Sequence, residues 1–220
     1  MRLMIKICGM REPENILEVA NLKPDLMGFI FYPASPRYTA KILNPEIFTR
    51  FPTGIRKAGV FVNAGFDKIN ETIRKYSLDI VQLHGDESPE TCRRLSETGI
   101  HVIKSFNIKD SIGFKLCAKY IPYTDYFLFD APTSKYGGSG YKFDWKILDK
   151  YELDHPFFIS GGIAPGDVYK ILEITNPAFY GIDLNSKFEV KPGLKDIKIL
   201  KKFVYDVRDK TNHYERDIYS

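Results

Sequence analysis

The sequence predicts an α/β fold, a single-domain (β/α)8 TIM barrel, on three observations. Eight short apolar runs recur about every 25 residues and are mostly continuous rather than alternating, as strands covered on both faces must be. Stretches with helical periodicity or helix-start signals fill several of the gaps between them. No GxGxxG or GxxxxGK[ST] turn follows an early run, which counts against the competing doubly wound open sheet.

Taken in order, Leu3–Cys8 is the first strand, and Pro13 opens the helix after it, where a missing N–H costs nothing. Leu26–Phe31 is the second, followed by a loop carrying Ser35-Pro36-Arg37 and a helix start at Pro45. Lys57–Val62 is the third, and beyond it Phe66, Ile69, Ile73 and Tyr76 line one helical face. Ile80–Leu83 is the fourth, with Ser88 as N-cap ahead of Pro89. His101–Ser105 and Tyr126–Asp130 enclose the least marked helix, placed at residues 111–120. Phe157–Ser160 leads to Pro165, and Phe179–Asp183 to the last helix. There Ile197, Leu200, Val204 and Val207 share a face while Lys195, Lys198 and Lys202 point elsewhere. Residues 1–208 form the barrel domain, and the polar segment 209–220 a frayed tail.

Composition narrows the function. At 220 residues, 44% hydrophobic and 27% charged, the chain buries a core without a disulfide or a metal. A net charge of +4 from scattered basic residues suits an anionic small molecule and is too weak for nucleic acid. Cys8, Cys92 and Cys117 are an odd count without CxxC spacing, which favours a reducing cytoplasm over a disulfide framework. His84, His101, His155 and His213 are too dispersed for a metal site, and no window is apolar enough to span a membrane.

In a barrel the chemistry sits at the C-terminal ends of the strands, where Cys8, Arg37, Asn63, His84, Ser105, Asp130, Ser160 and Asp183 fall. Cys8 is either a base or nucleophile whose thiolate is favoured by Lys6, two residues below it, or a small buried hydrophobe. Cys92 and Cys117, on helices, keep the hydrophobic reading. Asp130 closes Tyr-Phe-Leu-Phe-Asp, so either its aromatic neighbours raise its pKa toward general-acid duty, or it caps a turn or pairs with Lys6. Asp183 is placed to accept a ligand hydroxyl or to pair with the same lysine. Arg37 is a two-pronged carboxylate clamp or a surface arginine. Gly161-Gly162 after strand seven and Asn185-Ser186 after strand eight offer backbone N–H groups to a phosphate. Gly137-Gly138-Ser139-Gly140 is a mobile lid or a plain turn.

Lys6-Ile7-Cys8-Gly9, Gly28-Phe29-Ile30-Phe31 with Ser35-Pro36-Arg37, and Gly59-Val60-Phe61-Val62 resemble the phosphoribosylanthranilate isomerase family. So do Gln82-Leu83-His84-Gly85, Phe129-Asp130 with Gly137–Gly140, Ser160-Gly161-Gly162, and Gly181-Ile182-Asp183 followed by Pro192-Gly193. The resemblance implies a cofactor-free Amadori rearrangement in tryptophan biosynthesis. N-(5'-phosphoribosyl)anthranilate becomes 1-(2-carboxyphenylamino)-1-deoxyribulose 5-phosphate. By motif, Cys8 is then the general base, Asp130 the general acid and Arg37 the anthranilate carboxylate clamp. Asp183 contacts the sugar, and Gly161, Gly162, Asn185 and Ser186 hold the phosphate. Asn185-Ser186-Lys187 departs from the Ser-Ser-Gly of many relatives, with Lys187 adding a favourable charge. The expected enzyme is cytoplasmic, a monomer or homodimer, with a phosphosugar substrate and no cofactor, metal, nucleic acid or membrane partner. Two other readings are a Schiff-base aldolase using Lys104 or Lys6, and a binding barrel with a decayed site.

Overall fold

Each apolar run folds as a strand. The structure, a computed structural model, describes residues 2–108, 111–130 and 145–218, without side chains at 49–50, 111–112 and 212–218. Strands β1 (Met4–Ile7), β2 (Leu26–Ile30), β3 (Arg56–Phe61), β4 (Ile80–Leu83), β5 (His101–Asn107), β6 (Tyr126–Asp130), β7 (Phe157–Ile159) and β8 (Phe179–Leu184) pair in parallel, in sequence order. β8 returns to β1 and closes the barrel. Between the strands lie α1 (Pro13–Ala20), α2 (Phe66–Tyr76), α3 (Pro89–Ser96), α4 (Ser111–Cys117) and α5 (Val168–Leu172). Shorter 3-10 turns supplement them, one of which, Pro45–Arg50, takes the place of a helix after β2.

Both faces of every strand are covered, which is why the runs are continuous. Leu26, Ala58, Ile80, Ile103, Leu128 and Phe158 fill the barrel interior. The alternate residues, among them Ile5, Met27, Val81, Val102, Phe127 and Ile159, pack outward against the helices. Between β7 and β8 the register slips, so that Phe158 pairs with Gly181, where a Cβ would strike its ring.

Helix signals act where the sequence places them. Pro13, Pro45 and Pro89 each begin a helical segment, and the Ser88 side chain accepts from Thr91 N–H at 3.3 Å. Two expectations need correction. A hairpin of β9 (Glu189–Lys191) and β10 (Leu194–Lys195) precedes the last helix, α6 (Ile197–Ile218). The backbone of 209–218 continues α6 instead of fraying, since the segment contains neither Pro nor Gly to stop a helix.

Candidate active site

Cys8 lies just past β1, and its N–H donates to Leu184 C=O at 2.8 Å, extending the β1–β8 ladder and fixing the thiol at the barrel rim. Gly28 on β2 makes room for it, because a Cβ there would stand 2.7 Å from Sγ. Gly9 follows with φ +76°, a left-handed turn that glycine adopts without strain. Lys6, fully buried below, donates to Asp183 Oδ2 at 2.8 Å. Burial works against that ammonium, but Asp183 and Cys8 more than restore it, holding its pKa above the ordinary lysine value. For Cys8 the balance differs. Burial pushes the thiol up, Lys6 pulls the other way, Asp183 adds to the rise and Lys195 opposes it, leaving the thiol above its usual range. The expected net preference for thiolate is therefore reversed, because burial of the thiol, with Asp183 adding to it, outweighs the pull of Lys6 and Lys195. Cys92 and Cys117 are buried, with thiols pushed up to about 12 by desolvation.

Asp130 ends β6 on the inner face, 3.4 Å from His84 Nε2 through Oδ2. Its aromatic neighbours do not surround it: Phe127 and Phe129 lie on the outer face, as strand alternation requires. Gln82 Nε2 lies 3.0 Å from His84 Nδ1 and 3.2 Å from Ser105 Oγ. With that amide nitrogen assigned as donor, Nδ1 accepts and Nε2 carries the proton facing Asp130. Asp130 and His84 both act on Asp183, which links this side of the mouth to Lys6 and Cys8. One Asp183 oxygen, Oδ1, is buried without a hydrogen-bond partner among the described residues. On the far side of His84 a cavity of about 360 Å³ is lined by His84, Lys104, Ser105, Phe106, Asn107 and Tyr120, and not by Cys8, Asp130 or Asp183.

Arg37 is not a surface residue. Its side chain is 11% exposed, and Nε donates to both Glu189 oxygens (2.9 and 3.0 Å) while Nη2 donates to Oε2 (2.6 Å). Glu189 also receives Lys195 Nζ at 2.8 Å and Gly193 N–H at 3.1 Å. Burial raises the Glu189 carboxyl, but Arg37 and Lys195 outweigh it and hold the group below its ordinary value. Sequence reasoning missed Glu189 and assigned Lys195 to the solvent side of a helix; it sits instead in β10, fully buried. The available signal was Pro192-Gly193 between two short strand-like pieces, a hairpin signature.

Gly161 and Gly162 both hold left-handed backbone (φ +82° and +74°) after β7, a conformation open to glycine and closed to most residues. Asn185 and Ser186 are half-buried after β8, where Asn185 Oδ1 accepts from Lys195 at 2.8 Å, and Lys187 is exposed. The Gly137–Gly140 segment lies outside the described residues. Lys104, a nucleophile in the aldolase reading, donates to the carbonyls of Gly85 (2.7 Å) and Ser105 (3.1 Å) and pairs with Glu87 (3.2 Å). Its ammonium protons are thus committed to structure. Among the described residues no cluster of His, Cys, Asp or Glu is arranged to hold a metal, and no helix is long and apolar enough to cross a membrane.

The family model for N-(5'-phosphoribosyl)anthranilate (PRA) isomerase matches residues 5–206. An N-(5'-phosphoribosyl)anthranilate isomerase of Parabacteroides distasonis is 46% identical, with 93% of each chain covered. The crystal structure of phosphoribosyl anthranilate isomerase from Thermotoga maritima superposes with a TM-score of 0.83 at 32% identity, covering 94% of this chain and 99% of that one. A further isomerase structure, in complex with reduced 1-(o-carboxyphenylamino)-1-deoxyribulose 5-phosphate, gives 0.80 at 29% identity, with 94% and 99% covered. A barrel with a thiol, two inward carboxylates and an arginine at one mouth thus carries this family's sequence over nearly its full length: the chain belongs to the N-(5'-phosphoribosyl)anthranilate isomerase family.

Proposed function

We propose that this barrel isomerises N-(5'-phosphoribosyl)anthranilate to 1-(2-carboxyphenylamino)-1-deoxyribulose 5-phosphate with Cys8 as general base and Asp130 as general acid. The isomerisation, a step of tryptophan biosynthesis, follows from family membership. The residue roles are the proposal. The observation that carries them is the meeting of Cys8, Asp183 and Asp130 at one mouth, with Lys6 beneath.

Asp130 gives a proton to the ribose ring oxygen as the C1–O bond breaks, leaving the nitrogen lone pair to form a C1–N double bond. His84 Nε2–H, 3.4 Å away, steadies the carboxylate so formed. Cys8 then removes the C2 proton, and the electron pair moves to form the enolamine, which tautomerises to the ketose. No atom is gained or lost. The thiol ionises for this step against its burial, with Lys6 and Lys195 supporting the anion.

Arg37 holds the anthranilate carboxylate, and Asp183 accepts a sugar hydroxyl through Oδ1, which has no hydrogen-bond partner among the described residues. Gly161, Gly162, Asn185 and Ser186 provide N–H donors to the phosphate, with Lys187 near the same loop. The test is the decay of substrate fluorescence with purified protein, repeated with borohydride present. Turnover with both lysines unmodified is expected; a covalent adduct on Lys6 or Lys104 contradicts the acid–base reading.

A further inference from the structure

Arg37 is held by the protein's own side chains. Glu189 grips the Nε–Nη2 edge of the guanidinium, and among the described residues Nη1 has no hydrogen-bond partner. Glu189 is itself fixed, its side chain 3% exposed and bound by Lys195 Nζ at 2.8 Å. Lys195 cannot shift readily, because Asn15 pins its backbone twice: Lys195 N–H donates to Asn15 Oδ1 (2.7 Å), and Lys195 C=O accepts from Nδ2 (3.0 Å). From there the ammonium reaches Asn185 Oδ1 at 2.8 Å, in the loop assigned to the phosphate. The two ends meet above Gly9, where a Cβ would stand 2.6 Å from both Arg37 Cδ and Asn185 Oδ1.

Arg37, Glu189 and Lys195, side chains largely buried, and the half-buried Asn185 therefore form a continuous bridge between the loop after β2 and the loop after β8, directly over the residue next to Cys8. An apolar set of equal volume would pack such a hairpin at least as well, so burying three charges calls for a reason beyond stability. A guanidinium held by one edge presents its remaining donors in a fixed direction, and the ordering cost of binding a carboxylate is met in advance.

We propose that Glu189 is a positioning residue for the substrate carboxylate, and that through Lys195 it sets the span between the Arg37 clamp and the phosphate loop. The proposal rests on Arg37 being the carboxylate clamp. It makes the site selective for a ligand with a carboxylate and a phosphate at a set separation.

The test uses two probes: reduced 1-(2-carboxyphenylamino)-1-deoxyribulose 5-phosphate and its phenylamino counterpart without the carboxylate. Their Kd ratio reads the carboxylate alone. In the unsubstituted enzyme the carboxylate should strengthen binding by at least about tenfold. Glu189→Gln should bring the ratio close to one while the phenylamino probe binds within about twofold of normal, a result that loss of fold would not give. Glu189→Asp, which keeps the charge, should restore part of the ratio, and it replaces Glu189→Gln if that variant does not fold. Lys195→Met should weaken both probes, since it releases the phosphate loop as well. In an Arg37→Ala background, Glu189→Gln should have no further effect on the ratio. If Arg37→Ala abolishes the ratio but Glu189→Gln and Glu189→Asp preserve it, Glu189 does not position Arg37 and the proposal falls. If Arg37→Ala itself preserves the ratio, the clamp reading fails first and the proposal with it.

Discussion

Aspartate serves both ends of this barrel, to opposite effect. At the N-terminal end Asp25, Asp79 and Asp125 stand immediately before β2, β4 and β6, each closing the start of the strand before. Asp25 accepts from Ile5 N–H (2.9 Å), Asp79 from Lys57 N–H (2.7 Å) and Asp125 from Val102 N–H (2.7 Å). Their second partners are Arg2, Lys57 and His101. At the C-terminal end Asp130 and Asp183 are buried and face the mouth, and Asp183 keeps one oxygen unpartnered among the described residues. Strand direction accounts for the difference. A carboxylate before a strand meets backbone N–H groups that need an acceptor, whereas one after a strand looks into the site. Mutations should therefore separate stability from catalysis according to which end they touch.

The largest effect expected is for Asp130→Asn. It should lower kcat/KM by roughly 10² to 10⁴ with the far-UV spectrum and melting temperature near those of the unsubstituted enzyme, because it removes a general acid and leaves the packed layers alone. A variant that lost stability but kept its rate would place Asp130 with the structural aspartates instead.

Next, Arg37→Ala should raise KM far more than it lowers kcat, since a remote carboxylate contact is made in ground and transition states alike. The loss should be about 2–4 kcal/mol at most. An unchanged KM in steady-state kinetics would remove the clamp from the account.

The pH profile sharpens the same division. Lys6, Asp183 and Lys195 act on Cys8, and the net effect with burial is a raised thiol pKa. The rising limb of kcat/KM should therefore lie alkaline of an ordinary cysteine, with the limb belonging to the coupled group rather than one residue. A limb on the acid side, measured across pH 6 to about 10 with stability controls, would show that the thiolate prevails at rest.

The smallest effect belongs to the base of the barrel. Asp79→Ala removes one hydrogen bond and one half-exposed ion pair, so denaturant melts should show a loss of about 1 kcal/mol with kcat and KM within about twofold. A tenfold fall in kcat there would break the separation of the two ends.

Strand positions were legible because eight continuous apolar runs leave few alternatives; Cys8, Asp130 and Asp183 were legible as polar residues at strand ends, and Arg37 as a charge in the loop after the second strand. What the chain does to those residues was not. The net rise of the Cys8 pKa depends on how completely it is buried and on Asp183, which pairs with Lys6 from 177 residues away in sequence and adds to the rise. Phe127 and Phe129 adjoin Asp130 in sequence yet face the other way, so adjacency misled where alternation would have served. Glu189 drew no reading, and Lys195 was placed with the last helix, because the hairpin that buries them is only five residues of strand, too short for periodicity to register. The three basal aspartates share a local pattern, Asp directly before an apolar run, which is visible once the strands are placed.

The central claim is that a thiol at the end of the first strand takes the C2 proton. It is tested most directly by single-turnover kinetics of Cys8→Ala at saturating substrate, alongside the Kd of the reduced product analogue. The account predicts a rate at least about 10²-fold lower, with analogue binding little changed. A Cys8→Ala enzyme that turns over at a near-normal rate would contradict it, even with the substrate and the barrel unchanged.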